Sequence, residues 1–173
     1  MKLHQLKVEF NAEQDRLLLR ISTDDGKEVL LWLTRRCVRR LWPVLLDVAQ
    51  SSSGIVLQSS AEAKAVLLGM RHEQAVSQAD FSRPYEEGGR ERPFGSEPIL
   101  VVRIQARRDD GGNYVLSLMP MTGSGVDLTL DDRLLHSLCR LLQNAVAKSE
   151  WEFTLTLPRA SIAPESGEVR TIN

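Results

Sequence analysis

Two stretches of this chain carry the same order of apolar and polar residues, and this repetition constrains the fold more than any other feature. A shift of 97 positions places residues 15–50 on residues 112–147 without a gap, and Gly26 then falls on Gly123. The apolar pairs that coincide are Leu19 with Leu116, Val29 with Val126, Leu31 with Leu128, Leu33 with Leu130, Leu41 with Leu138 and Leu45 with Leu142. Because a slip of one residue turns every core side chain of a strand outward, the shared phase predicts two copies of one unit.

Each copy has the pattern of three strands followed by a helix. Apolar residues alternate with polar ones in three short runs, and they then recur at helical spacing after an N-cap residue, Thr34 or Asp131. The strand positions are Leu6, Val8, Phe10, Leu17, Leu19, Ile21, Val29, Leu31 and Leu33, and then Leu100, Val102, Ile104, Tyr114, Leu116, Leu118, Val126, Leu128 and Leu130. The predicted fold is α+β, with internally duplicated βββα units related by a pseudo-twofold axis and with helices packed on antiparallel sheets.

These patterns divide the chain into four parts. Residues 1–58 form the first βββα repeat, 59–97 a connector, 98–158 the second repeat with a further strand, and 159–173 a flexible tail. The connector is predicted to hold a helix over 61–78 and then an irregular, mobile stretch over 82–98, which is rich in proline, glycine and charge. The further strand is predicted over 151–157, with 55–57 as its shorter counterpart. The first strand fits a smaller shift, with Leu6 on Leu100 and Val8 on Val102.

The composition is that of a soluble globular protein, with 42% apolar and 26% charged residues. The net charge of −1 gives no overall field toward nucleic acid or membrane, so any electrostatic partner must recognise a local patch. No apolar run approaches the roughly 20 residues that span a bilayer, so we expect no membrane partner. Cys37 and Cys139 lie in predicted helices, which favours buried thiols and a cytoplasmic location over a disulfide framework.

The signals for catalysis are poor. The three histidines, His4, His72 and His136, fall in different segments without metal-ligand spacing, and no glycine-rich phosphate loop joins a strand to a helix. His136 is predicted to be exposed, because Arg133 and Arg140 lie near it on the second helix. We therefore expect a non-enzymatic binding protein with no catalytic residue, no metal and no cofactor.

One charge anomaly separates the two copies. Four arginines occupy the first two turns of the first helix, where the helix dipole disfavours an exposed cation by about 0.3–1 kcal/mol. They also form like-charge pairs at i,i+4 spacing. These residues are Arg35, Arg36, Arg39 and Arg40, and the second copy has Asp132, Arg133, His136 and Ser137 at the same positions. The arginines can bind phosphates of nucleic acid, pair with acids of this chain or a partner, or stay solvated.

Two neighbouring residues bear on that choice. Pro43 falls within the first helix and is expected either to kink it or to begin a second segment. Trp32 lies out of phase with Leu31 and Leu33, so it points to the other face of its sheet. There it can stack a base or lie under the connector helix. The candidate nucleic-acid-binding residues are Arg35, Arg36, Arg39, Arg40 and Trp32.

Two tandem sheet-plus-helix repeats resemble the architecture of the Whirly and PUR-repeat families, which bind single-stranded nucleic acid. The resemblance covers residues 6–50 and 98–157, is architectural, and carries over no binding residue. It implies a pseudo-twofold fold and single-stranded nucleic acid as the partner. The alternative partner is an acidic protein surface, in which case the chain is an interaction or homo-oligomeric assembly module, such as a homodimer.

Overall fold

The computed structural model describes residues 2–159, which form a mixed α+β fold with two sheets and four helices. The first βββα unit and the connector contain β1 (Leu3–Asn11), β2 (Arg16–Thr23), β3 (Glu28–Thr34), α1 (Arg35–Gln50), α2 (Ser53–Val56) and α3 (Ala61–Gln78). The remainder contains β4 (Ile99–Leu100), β5 (Arg103–Arg108), β6 (Tyr114–Met119), β7 (Val126–Leu130) and α4 (Asp132–Ala147). The predicted flexible tail lies outside the described residues apart from Arg159.

Both sheets are built from antiparallel meanders, as the alternating patterns indicate. The first sheet has the strand order β1-β2-β3-β4, in which β4 is a two-residue strand parallel to β3. The second sheet has the order β5-β6-β7 and is antiparallel throughout. The predicted α+β class with antiparallel sheets and packed helices is therefore confirmed.

The local geometry recurs at the spacing of 97 residues. Helices α1 and α4 each have 16 residues, and their N-caps accept equivalent bonds, Cys37 N to Thr34 Oγ1 at 3.1 Å and Leu134 N to Asp131 Oδ1 at 2.7 Å. The cross-strand pairs match as well, since Leu19 pairs with Leu31 and Leu116 with Leu128. Left-handed backbone also recurs, at Gly26 (φ 77°) and Gly123 (φ 89°), and at Asp15 (φ 47°) and Gly112 (φ 81°).

The first strand of the second unit differs from the prediction. Residues 99–108 do not form one strand, because β4 pairs with β3 in the first sheet and β5 pairs with β6 in the second. The chain changes sheet between them, and this change reverses which side chains point inward. Val101 is consequently buried, whereas Leu100 and Val102 are more than a third exposed.

The register also corrects the predicted counterpart of Leu6. Leu6 pairs with Ile21 on β2, and the residue at the same place opposite Leu118 on β6 is Ile104. The counterpart of Leu6 is therefore Ile104 and not Leu100. The alternation alone could not fix this shift, because Leu100, Val102 and Ile104 share one phase.

The core lies where the two helices cross between the sheets. Helices α1 and α4 contact each other, and each also contacts the edge strand of the other unit, α1 with β5 and α4 with β1. The largest fully buried side chains are Leu17, Leu19, Ile21, Leu31, Leu33, Leu41, Leu45, Ile55, Leu68, Leu116, Leu118 and Leu128. They come from strands of both sheets and from helices α1, α2 and α3, so both sheets share one core.

The connector is attached to the protein along most of its length. Helix α3 occupies the range that the sequence indicates, and it packs against α4, α1 and α2. The stretch after it is irregular, as expected, but it is held on the outer face of the first sheet. Tyr85 Oη donates to Glu28 Oε1 at 3.0 Å, Arg92 Nε donates to Glu28 Oε2 at 2.9 Å, and Glu28 N donates to Glu91 O at 2.8 Å. These bonds join the stretch to β3.

The predicted strand over 151–157 is wrong. This segment is extended, but it pairs with no strand of residues 2–159. It lies against helices α1 and α4 instead. Trp42 Nε1 on α1 donates to Thr156 O at 3.1 Å, and Gln143 Nε2 on α4 donates to Leu155 O at 2.9 Å. The alternation reflects burial of Trp151 and Leu155 against the core. Its proposed counterpart, 55–57, is also wrong as a strand, because Ile55 and Val56 belong to helix α2.

Within residues 2–159, no helix combines the length and the apolar character that a membrane crossing requires.

Candidate functional site

Helix α1 presents all four candidate arginines on one exposed face. Thr34 ends β3 and caps the helix, and the buried positions that follow recur at helical spacing. These buried positions are Cys37, Val38, Leu41, Trp42, Leu45 and Ala49. The exposed positions between them in the first two turns are Arg35, Arg36, Arg39 and Arg40, which we call the arginine face. The helix has no acidic residue in its first turn.

The arginine face lines a single open depression and has no acidic partner among residues 2–159. The depression is formed by the four arginine side chains alone. Other arginines in this range do pair with carboxylates, for example Arg20 with Glu28 at 2.9 Å and Arg140 with Glu73 at 2.8 Å. None of the ion pairs in the same range involves a residue of the arginine face. Pairing of these arginines with acids of this chain, one of the options that the sequence leaves open, is therefore not found among residues 2–159.

Pro43 does not divide helix α1, which runs from Arg35 to Gln50 without a break. A proline has no amide hydrogen, so the carbonyl of Arg39 has no i+4 donor within the helix. Pro43 is exposed on the same side of the helix as Arg39, where water can bond to that carbonyl. The helix tolerates the proline because the affected turn faces solvent.

Trp32 is separated from the arginine face. It lies half-buried on the outer face of the first sheet, in a cross-strand row with Leu18 and Leu100, whereas α1 packs on the inner face. Trp32 does not line the depression. Helix α3, which the sequence suggests as its cover, packs against the other helices instead. The structure thus brings four of the five candidate residues together and leaves Trp32 apart.

An aromatic column that the sequence did not indicate lies beside the arginine face. The Arg39 guanidinium carbon is 5.9 Å from the centroid of the Phe153 ring. Phe153 in turn stacks on Trp151, with ring centroids 5.7 Å apart and an angle of 18° between the planes. Phe10 packs edge-to-face against Trp151, with ring centroids 5.9 Å apart and an angle of 82° between the ring planes. We call this stack, in which Phe153 lies between Trp151 and the guanidinium of Arg39, the aromatic column.

The two histidines at the contact between α3 and α4 form a buried pair, and this corrects the prediction that His136 is exposed. His72 and His136 are each 1% exposed, and their Nδ1 atoms are 3.1 Å apart. Their Nε2 atoms have no hydrogen-bond partner within the described part of the chain, residues 2–159. Burial, together with the neighbouring His136 and Arg140, lowers the pKa of His72 to about 4. Burial also lowers the pKa of His136.

A second depression, lined by residues of α3, the second sheet and the start of α4, contains two arginines whose guanidinium groups are already engaged. Arg108 Nη2 donates to Ser51 O at 2.6 Å and to Tyr114 Oη at 2.8 Å. Arg71 Nη1 donates to Ser52 Oγ at 2.8 Å. Arg108 thus joins the end of α1 to the second sheet, and Arg71 joins α3 to the residue before α2, so these arginines have a structural explanation that the arginine face lacks.

Among residues 2–159, no three side chains of His, Cys, Asp or Glu are grouped closely enough to hold a metal ion. No protein-family model matches the chain, and neither a curated protein nor a solved structure matches it. The arginine face and the aromatic column therefore have to be interpreted from their own geometry.

Proposed function

We propose that this chain is a non-enzymatic protein that binds single-stranded nucleic acid through the arginine face. The observation that carries the proposal is the grouping of four exposed guanidinium groups on one helix face with no carboxylate partner among residues 2–159. Guanidinium groups suit phosphates because their planar forks donate paired hydrogen bonds to phosphate oxygens. The near-neutral net charge means that this local patch, and not an overall field, attracts the ligand.

Energetics supports a ligand over simple solvation. Each exposed cation near a helix N-terminus costs about 0.3–1 kcal/mol, and like charges at i,i+4 add a similar penalty. A polyanion removes both penalties, because its phosphates neutralise the guanidinium groups and accept from the free N–H groups of the first turn. Thr34 already satisfies Cys37 N, which leaves the amides before it for the ligand.

We also propose that the two βββα units arose by internal duplication and are related by a pseudo-twofold axis. The equal helix lengths, the matching registers and the reciprocal contacts of α1 with β5 and α4 with β1 support this. After duplication the units diverged in what covers their helices. His136, the counterpart of Arg39, lies under α3, whereas Arg39 is exposed. The arginine face is thus the exposed one of two equivalent helix faces, and the other is covered by α3.

This same asymmetry favours an alternative, in which a protein covers the arginine face as α3 covers α4. The charge requires that partner to be acidic, and a second copy of the chain is one possible source of it. Sedimentation at several protein and salt concentrations tests self-association, which salt weakens if the arginine face makes the contact and leaves unchanged if the contact is apolar. Cys37 and Cys139 are buried and unbonded, which supports a reducing compartment such as the cytoplasm.

The proposal is tested by charge reversal at equivalent positions of the two units. We expect Arg36→Glu/Arg40→Glu to weaken binding of a short single-stranded DNA by about 30-fold at low salt, because two phosphate contacts become repulsive. A plot of log affinity against log salt concentration has a negative slope. We expect the magnitude of this slope to decrease by about 1.4, because each of the two lost phosphate contacts on a single strand accounts for about 0.7. Fluorescence anisotropy of the labelled strand over a salt series measures both quantities.

The matched control is Arg133→Glu, because Arg133 is exposed at the position of α4 that corresponds to Arg36 of α1. Its affinity is expected to stay within about twofold of the wild type. If the wild type fails to bind at low salt, where phosphate contacts are strongest, the proposed function is wrong. If Arg133→Glu weakens binding as much as the double variant, binding depends on general charge and not on the arginine face.

A further inference from the structure

We infer that the aromatic column makes Arg39 a base-stacking element, so that the site selects single-stranded over duplex nucleic acid. This inference rests on the proposed function and assigns different tasks to the arginines. Arg36 and Arg40 contact phosphates, while the Arg39 guanidinium, supported by Phe153, presents a flat surface to an unpaired base. Phe153 thereby replaces Trp32 as the aromatic residue of the site.

The column is anchored at its inner end. Trp151 is 7% exposed, and its Nε1 donates to Asp15 Oδ1 at 2.6 Å. Phe10 packs edge-on against the same ring. Phe153 is half-buried, with one face of its ring on Trp151. The position of Phe153 is therefore fixed by the core, and it gives Arg39 a rigid support at the protein surface.

Arg39 differs from its three neighbours in this support. Among the described residues, it is the member of the arginine face whose guanidinium lies over an aromatic ring. Such a contact is worth about 0.5–1 kcal/mol at an exposed site, and it restricts a side chain that otherwise loses about 2 kcal/mol of rotamer entropy on binding. Arg39 is thus preorganised, whereas Arg36 and Arg40 are exposed and without acidic partners in residues 2–159.

The strand preference follows from what each ligand offers to such a surface. An unpaired base has a free π-face, and bases stack on guanidinium planes as well as on aromatic rings. A base placed on Arg39 continues the order Trp151, Phe153, Arg39. In a duplex the bases are stacked on each other, so only the phosphates are available to the arginine face. Stacking therefore adds affinity for a single strand alone.

Two conservative substitutions test the inference. Arg39→Lys keeps the charge but removes the planar group, and Phe153→Leu keeps an apolar side chain but removes the ring. We expect each to weaken binding of a short single-stranded DNA by about tenfold, because stacking contributes about 1–3 kcal/mol per base. Affinity for a duplex of the same length is expected to stay within about twofold, and the salt slope should be unchanged because no phosphate contact is lost.

Arg133→Lys is the matched control, since it makes the same change at an exposed position of α4 outside the arginine face, and both affinities are expected to stay within about twofold. An abasic strand of equal length should bind the wild type about as weakly as the intact strand binds Arg39→Lys. Equal losses for single strand and duplex, or no loss in Arg39→Lys, overturn the inference. Loss of both ligands in Arg36→Glu/Arg40→Glu still supports the proposed function in that case. Arg39 is a surface residue, so Arg39→Lys is expected to keep the fold. This variant therefore tests the stacking inference even if Phe153→Leu lowers stability.

Discussion

Replacing Glu28 by alanine is expected to lower the free energy of unfolding by about 3 kcal/mol, because it removes the buried carboxylate that bonds Arg20, Arg92 and Tyr85. Glu28 is 3% exposed. Its Oε1 accepts from Arg20 Nη2 at 2.9 Å and from Tyr85 Oη at 3.0 Å, and its Oε2 lies 2.8 Å from Arg92 Nη2. The Arg20 side chain is only 12% exposed, and the one carboxylate it keeps in the variant is the exposed Glu87, at 2.9 Å. Urea unfolding at neutral pH measures the loss.

The protonation of Glu28 has a defined sign in this network. Burial raises the pKa of Glu28, but hydrogen bonds from Arg20, Arg92 and Tyr85 outweigh it and hold the pKa below the ordinary value of 4.5. A carboxylate with a lowered pKa in the folded state stabilises the protein above the unfolded-state pKa, and this contribution disappears as the pH falls through the lower value. The stability of the wild type therefore declines in acid below about pH 4.5 through this residue, and Glu28→Ala lacks this part of the decline.

A matched comparison separates the network from a general effect of charge. Glu28→Gln keeps the shape and is expected to cost about 2 kcal/mol, because a neutral amide bonds arginine less strongly. Glu9→Gln, which removes an exposed carboxylate paired with Lys7 on β1, should cost less than about 0.5 kcal/mol. Hydrogen exchange should also rise first in residues 84–92 of the Glu28 variants, since Tyr85 and Arg92 lose their anchor. Equal costs for Glu28→Gln and Glu9→Gln would show that the network contributes nothing.

The importance of Glu28 could not be predicted from the sequence, although the strand that holds it could. Alternation and the cap residue Thr34 are local signals, so they indicate β3 and the start of α1 correctly. Arg20 lies on the neighbouring strand, but the other two partners of Glu28, Tyr85 and Arg92, lie 57 and 64 residues away, in an irregular stretch with no periodic pattern. A charged residue at a strand end suggests exposure, and only the covering segment makes it buried.

The same limit explains the wrong strand over 151–157. Alternating apolar residues report that every second side chain is buried, but they do not report what buries it. Trp151 and Leu155 pack on the helices, so the backbone is extended without a neighbouring strand. For this reason the position of Phe153 beside Arg39 was not predictable. It depends on where the segment crosses α1, which is a tertiary contact.

The arginine face itself could be predicted, because it depends on a comparison between the two copies and not on tertiary contacts. The misplacement of His136 has the opposite cause. Its sequence neighbours Arg133 and Arg140 suggested a wet face, but helical spacing also places it next to Leu135 and Cys139, which are buried. Helix α3 then covers this side of α4. Local charge gave the wrong indication where a long-range contact determined burial.

Lowering the pH from 7 to 5 is expected to reduce the free energy of unfolding by about 2–3 kcal/mol through the buried histidine pair. Burial, with His136 and Arg140 nearby, lowers the pKa of His72 from 6.5 to about 4. In this window the unfolded chain binds a proton that the folded protein excludes, so stability is complete above about pH 6.5 and falls with pH until about 4. The charged groups near the pair are Glu73 and Arg140 at His72, and Asp132 and Arg71 at His136. Thermal unfolding should show a decrease in Tm of about 5–10 °C.

The double variant His72→Leu/His136→Leu assigns this decrease to the pair. It replaces both partners by apolar groups, so it leaves no orphaned donor, and its stability at pH 7 should change little. Between pH 7 and 5 its Tm is expected to stay nearly constant. His4→Gln, which alters the exposed third histidine, should retain the wild-type decrease. Since carboxylates such as Glu28 titrate below this window, a double variant that still loses stability between pH 7 and 5 rules out the pair as the source. A constant Tm of the double variant instead means that two neutral imidazoles hold α3 against α4, and that acid weakens this contact. Helix α4 is then covered through a pH-sensitive contact, whereas the arginine face of α1 is exposed.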